Sequence, residues 1–179
     1  MIWTVATDFG PVVVREQIEP DDEPGLLELF TACDDWFEAV TGGPSGPGDV
    51  QGLFYSLPEG ASFEDKRLFT IRDGEKIVGL VDAVLGHPHR RAAAVGLFLV
   101  APTHRGRGLA RAVAKVLLDE AREAGLDEVT ATSSTAWPAG DRFLAALGFD
   151  IGPETTGAGN RTTWAGEPPV RRATLTLAG

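Results

Sequence analysis

Apolar residues recur along this chain with two different periods, and the places where the period changes mark its elements. Val12, Val13 and Val14, followed by Arg15 and Glu16, read as a first strand. Asp21 or Asp22 then suits a helix cap, with Pro24 in the first turn. Leu26, Leu29, Phe30, Cys33, Phe37 and Val40 fall at helical spacing and predict one long amphipathic helix. Cys33 lies on its buried stripe, which suits packing better than nucleophilic chemistry. The glycine- and proline-rich run from Gly42 to Gly48 ends it, and a short helix is expected around Val50 to Leu57. An antiparallel meander follows: Arg67 to Ile71, a turn at Asp73-Gly74, Ile77 to Val84, a turn at Gly86 to His89, then Ala92 to Val100. From Gly108 to Ala124 the period returns to that of a helix, through Leu109, Val113, Val116, Leu117 and Ala121, with Gly125 as its stop. Val129 to Ser133 predicts a strand, Pro138 to Leu147 a helix capped by Gly148, and Ala173 to Leu177 a final strand at an edge. The Gly/Thr/Pro-rich stretch before that strand reads as a loop. A meander feeding a strand–helix–strand unit implies a mixed α/β fold (α+β), with a mostly antiparallel central sheet flanked by helices rather than a doubly wound one.

The chain has 179 residues and a formal charge of −10. Its length suits one domain spanning 1–179, large enough to bury a core without covalent staples. The acidic balance argues against nucleic acid as a partner, and no apolar run reaches the roughly 20 residues of a membrane span. A lone cysteine excludes an internal disulfide framework, and Met1 to Val5 lack the basic-then-apolar pattern of a signal peptide, so a cytoplasmic location is expected. The charges are segregated. From Glu16 to Asp65 there are 13 acidic residues and no Lys or Arg, whereas between Asp82 and Asp119 lie Arg90, Arg91, Arg105, Arg107, Arg111 and all three histidines without a carboxylate. That division suggests one anionic and one cationic substrate.

The junction Val100-Ala101-Pro102-Thr103-His104-Arg105-Gly106-Arg107-Gly108-Leu109-Ala110 is the most specific feature. A buried strand turns directly into a helix whose start holds two glycines and two arginines. Unpaired amides and the positive end of the helix dipole make arginines unfavourable there, unless an anion sits on the amides. Glycines let a phosphate approach the backbone, and Arg105 and Arg107 can then pair with it. A dinucleotide-binding turn would need a third glycine where Arg111 stands, and a nucleoside-triphosphate loop would need Gly-Lys-Ser/Thr. Neither fits.

Arg105-Gly106-Arg107-Gly108-Leu109-Ala110 resembles the (Gln/Arg)-x-x-Gly-x-(Gly/Ala) signature of the GNAT N-acetyltransferase superfamily, and Phe143 to Phe149 resembles its closing helix and Gly-Phe pair. The likeness is strong over residues 67–150 and weak elsewhere. It implies acetyl-CoA as co-substrate, its pyrophosphate on the amides of Arg105, Gly106, Arg107, Gly108, Leu109 and Ala110, with Arg111, or a residue near Trp137 and Phe143, at the remaining phosphate or the adenine. Its pantetheine arm would lie along Phe98, Leu99 and Val100 like an added strand, where one amide would stabilise the oxyanion. No metal is implied, and the three histidines make a poor site for one.

Direct transfer needs a base, since a lysine-like amine has a pKa of about 10.4. The strand Ala92 to Val100 has no carboxylate, so Asp82 on the preceding strand is the candidate base and His87 the second, although Asp82 equally suits a solvated strand position. The resemblance places a proton-donating tyrosine at Leu144 and an asparagine at Trp137, and this chain has neither there; Ser134 or Ser133 can substitute. The resemblance implies an acceptor pocket walled by the first helices, where Asp34, Asp35, Glu38 and Tyr55, with Trp36, suggest a small cationic amine, a protein lysine or N-terminus being the alternative. Three functions therefore stand open: an acetyltransferase, an acyltransferase with another acyl donor or a hydroxyl acceptor, and a silent CoA-binding module. An edge position for the last strand would also allow a homodimer.

Overall fold

A computed structural model describes residues 1–156 and 166–177. Its eight strands form one sheet in the order β1-β2-β3-β4-β5-β6-β8-β7, parallel at β5/β6 and antiparallel elsewhere. The chain opens with a hairpin, β1 (Ile2–Thr7) and β2 (Gly10–Glu16), in continuous register from Ile2↔Arg15 to Thr7↔Gly10. The strand expected first is therefore second. Only Val5 is buried in β1, because an edge strand has little apolar contact to show.

The long helix expected after β2 is two helices, α1 (Glu23–Ala32) and α2 (Asp34–Thr41), hinged at Cys33. The amide of Cys33 closes the last turn of α1 and its carbonyl takes the amides of Trp36 and Phe37, so the apolar stripe runs through the break. The α1 entrance is tied to the sheet by Asp22, which accepts from Arg15 (2.9 Å) and Arg72 (2.8 Å). Gly42 ends α2 in the left-handed conformation, φ 88°. The third helix, α3, spans Pro47–Tyr55.

Strands β3 (Lys66–Asp73), β4 (Lys76–Leu85) and β5 (Ala92–Val100) form the meander, each close to its expected range. Gly79 lets it close: a Cβ there would meet Ile71 Cδ1 at 2.7 Å and the Leu99 carbonyl at 2.9 Å. Next come α4 (Leu109–Glu123), β6 (Glu128–Ser134) and α5 (Pro138–Ala146). The stretch read as a loop contains β7 (Asp150–Thr155), whose pairing slips between Ile151 and Glu154. Gly152 and Pro153 sit in that slip; both are tolerated at a bulged edge, and both disguise it as a loop. The last strand, β8 (Val170–Thr176), lies between β6 and β7, not at the edge as expected, so it is not the strand that a second copy would extend.

The core falls into two clusters. One joins β2 to β5 with α1 to α4 around Leu26, Phe30, Ile71, Leu80 and Leu99. The other joins β6, β8 and α5 around Val129, Ala131, Leu144, Phe149 and Ala173. Their boundary is the β5/β6 junction.

Candidate active site

The two parallel strands at that boundary do not stay together. β5 and β6 pair from Ala92↔Glu128 to Val95↔Ala131, after which β5 continues to Val100 and β6 to Ser134 without pairing. Gly96 begins the divergence. It is the extra residue of a bulge, because Val95 pairs with Ala83 and Leu97 with Asp82 across β4. Bulges bend a strand and raise its twist, which turns Gly96 to Val100 away from β6. One edge of that segment is bonded to β4; the other faces a cavity of about 420 Å³. The walls are mostly apolar: Phe98 meets Phe143 of α5 at 5.2 Å between ring centroids, and Leu117, Leu118 and Leu144 line the space beside them.

At its far end β5 runs into the glycine loop and α4. Gly106 (φ 77°) and Gly108 (φ 81°) are both left-handed, with nothing within 4 Å of where a Cβ would stand. Among the described residues the amides of Gly106, Arg107 and Gly108 donate no hydrogen bond. They join the unpaired amides of the first turn of α4 in a concave array suited to an anion.

Seven of the expected donor-side residues between Phe98 and Ala110 line this cavity together with Arg105 and Arg111, but the arginines do different things. The Arg105 side chain is engaged: Nε donates to the Val100 carbonyl (2.8 Å), Nη1 and Nη2 donate to Asp35 (2.7 and 3.3 Å), and the guanidinium stands 5.5 Å from the Trp137 ring. Arg107 points away from the cavity. It lies over Phe9 at 4.3 Å and donates to the Asp8 carbonyl at 3.0 Å. Arg111 carries no such tie among the described residues. Further support for the loop comes from His104, whose Nε2 meets Asp73 at 2.9 Å while its ring packs on Phe9 at 4.6 Å. The tip of the first hairpin is thus wedged under the loop. Nothing in the sequence near Phe9 or Asp73 signals it, because the contact is made only by folding.

The acid–base and acceptor candidates are dispersed. Asp82 is not on the cavity wall; it is buried against Lys66 at 3.1 Å, and Lys66 also donates to the Ser56 carbonyl. Burial pushes the Asp82 carboxyl up, and Lys66 opposes that rise only in part. In the register Asp82 is the direct partner of Leu97, a cavity residue. Asp34 accepts from the backbone and hydroxyl of Ser45, Asp35 is held by Arg105, and Glu38 and Tyr55 are exposed, Tyr55 by 74%. Of that group only Trp36 reaches the cavity. The hydrogen bond from Arg105 holds the Asp35 carboxyl below the usual range, against the opposing effect of burial. Cys33 is buried with its thiol pushed up to about 11, so it is not a nucleophile near neutral pH. Ser134 lines the cavity and caps the next turn by accepting from Ala136.

The family model described as Acetyltransferase (GNAT) family matches residues 30–149. No curated protein matches the chain. Solved structures do. An acetyltransferase from Thermus thermophilus is 24% identical, with 91% of this chain and 96% of that one covered at a TM-score of 0.67. A spermidine N-acetyltransferase from Vibrio cholerae, in complex with CoA and spermine, is 17% identical, with coverage of 93% and 95% and a TM-score of 0.67. The ribosomal-protein-S18-alanine N-acetyltransferase from Escherichia coli is 15% identical, with coverage of 93% and 95% and a TM-score of 0.65. At these identities the likeness is one of fold.

Proposed function

Since the chain belongs to the acetyltransferase (GNAT) family, we propose that it carries an acetyl group from acetyl-CoA directly to a primary amine. The observation that supports this best is the unpaired edge of β5 running straight into a loop of unpaired amides. A pantetheine arm carries a pair of amides, and Phe98, Leu99 and Val100 offer them a strand edge to bond. The pyrophosphate suits the amides of Gly106 to Ala110, with Arg111 available for a further phosphate. Arg105 and Arg107 serve that cradle by shaping it, through their ties to Asp35, Val100 and the first hairpin. An amide on the same β5 edge would polarise the acyl carbonyl.

On the acceptor side we assign Asp82 as the proton acceptor. It is the carboxylate closest in register to the cavity strand, and its raised pKa suits uptake of a proton nearer neutrality than an ordinary aspartate. The amine is read as small and cationic from the excess of carboxylates between Glu16 and Asp65. The ties of Asp34 and Asp35 leave Glu38 as the freer charge on α2. One of the structural relatives acts on spermidine and another on a ribosomal protein's alanine, which spans both acceptor types. A second reading, CoA binding without turnover, draws on the Lys66–Asp82 pair and on the apolar Leu144 in the cavity wall.

Calorimetric titration with acetyl-CoA, followed by thiol release across cationic, neutral and anionic amines, tests these readings. Micromolar binding with release favouring cations is expected. Binding without release from any amine supports the silent module, and absence of binding refutes both.

A further inference from the structure

The cavity does not stop where the donor's reacting end falls. β5 and β6 pair through Val95↔Ala131 and part toward the glycine loop. On the paired side of that point the wall continues through Val95, Val129 and Ala131 of the two strands, Leu118 of α4, Leu144 of α5 and Phe149 just beyond it. All six belong to the second core cluster. The charged and hydroxyl-bearing side chains of the wall lie elsewhere: His104, Arg105 and Arg111 at the glycine loop and the start of α4, Thr132, Ser133 and Ser134 at the end of β6. Val129 is level with Ala93, four residues before Leu97, so at about 3.3 Å per residue the apolar end extends roughly 13 Å past Leu97 along β5. Folded interiors leave few voids larger than a water molecule, and an apolar space stays dry. A cavity of about 420 Å³ with one end walled in this way suits a hydrocarbon group there and nothing polar.

This inference rests on the reading that CoA lies along β5, and it extends that reading from acetyl to longer acyl groups. With the phosphates at the glycine loop and the arm running back past Val100 and Phe98, the thioester falls level with Leu97. Whatever the sulfur carries is then directed toward Val95 and Ala131. An acetyl group ends one carbon past the carbonyl and leaves that part of the wall untouched. We propose that the site takes straight-chain acyl-CoA donors of the butyryl and hexanoyl class, with the chain held by the apolar end of the cavity. The bonds exchanged are those of acetyl transfer. The amine nitrogen bonds to the acyl carbon, the carbon–sulfur bond breaks with its electron pair staying on sulfur, and the surplus proton of the amine passes to Asp82 or water. A longer chain adds buried methylenes without adding a charge or a hydrogen bond, so its contribution grows with length until the space is filled.

The test is a calorimetric titration of the protein with CoA, acetyl-CoA, butyryl-CoA and hexanoyl-CoA in turn. Each buried methylene should tighten binding about threefold to fourfold, so butyryl-CoA should bind roughly tenfold tighter than acetyl-CoA, and hexanoyl-CoA tighter still. Thiol release across the same amine panel should follow, with kcat/KM for hexanoyl-CoA at or above that for acetyl-CoA. Ala131→Leu, which fills the inner end, should remove the gain and bring hexanoyl-CoA to within about twofold of acetyl-CoA. Acyl-CoA affinities within about twofold of one another in the parent protein, or falling with chain length, overturn the proposal whatever the variant does. So does a gain that Ala131→Leu leaves intact, because the chain then lies elsewhere. Tight hexanoyl-CoA binding without thiol release, where acetyl-CoA is turned over, overturns it as well. Failure of CoA itself to bind refutes the underlying reading, a result distinct from the others.

Discussion

Arg105 tests whether the loop arginines hold the ligand or hold the loop. Its guanidinium joins the end of β5, helix α2 and the entrance to α5 through Val100, Asp35 and Trp137. The ion pair is partly solvated, with side-chain exposures of 30% for Arg105 and 48% for Asp35, so it contributes only about 0.2–1 kcal/mol. The bond from a charged donor to the Val100 carbonyl adds about 1.5 kcal/mol, at the low end for such bonds because Arg105 is not fully buried. The aromatic contact adds about 0.5 kcal/mol. Arg105→Ala should therefore destabilise by about 2–3 kcal/mol, and Asp35→Ala by about 0.5–1 kcal/mol. The double variant should lie close to Arg105→Ala alone, giving a coupling of about 0.5–1 kcal/mol by urea denaturation at unchanged slope. Since Asp35 titrates below its unfolded value in the folded protein, its contribution is present above about pH 4 and is lost as pH falls through the folded pKa. The coupling should vanish in stronger acid. Acetyl-CoA binding separates the two roles: a strut predicts that Arg105→Ala and Asp35→Ala weaken binding together, whereas a phosphate ligand predicts loss only for Arg105→Ala. A coupling within about 0.3 kcal/mol of zero at pH 7, or opposite effects on binding, would refute the strut.

Lys66→Met should cost about 3–5 kcal/mol, because it leaves Asp82 charged and unpaired at side-chain exposures of 6% and 11%, and adding Asp82→Leu should recover most of it. The sign of its pH dependence is fixed by burial. A carboxyl whose folded pKa lies above the unfolded value favours folding at low pH, so thermal melts of Lys66→Met should fall as pH rises through that folded pKa. Gly108→Ala forces φ 81° on a residue with a Cβ but creates no contact within 4 Å, so it should cost about 1–2 kcal/mol through the backbone alone. It should also weaken acetyl-CoA binding in calorimetry, and an unchanged affinity would detach the loop amides from the phosphate site.

The elements that carry a strong one-sided pattern were legible before folding. β5 has its expected ends, Ala92 and Val100, and α4 and α5 are within a residue of theirs, because each buries one face and is punctuated by glycine or proline. Edge strands were not legible: β1 buries only Val5, and β7 hides a bulge behind Gly152 and Pro153. The break at Cys33 was invisible for the opposite reason, since α1 and α2 keep one apolar stripe across it. In the site, the glycine loop could be read from its residue types, but the direction of each side chain could not. Arg107 turns to Phe9, Arg105 to Asp35 and Lys66 to Asp82, each across 15 or more positions of chain. The segregation of charge that suggested two substrates is used, at Arg105 and Asp35, to join the two stretches to each other.

The split between β5 and β6 has a consequence for how such a site varies. On the proposed reading, recognition along Gly96 to Val100 would fall to main-chain groups that every residue but proline carries in full. The side chains of Leu99 and Val100 are therefore free to answer to the core in which they are buried, and substitutions there will register as changes in folding before they register as changes in affinity. A binding surface of this kind leaves little chemical signature in its own residues. It is written instead in a vacancy, the strand that β6 does not supply, and in the glycine that bends β5 away from it.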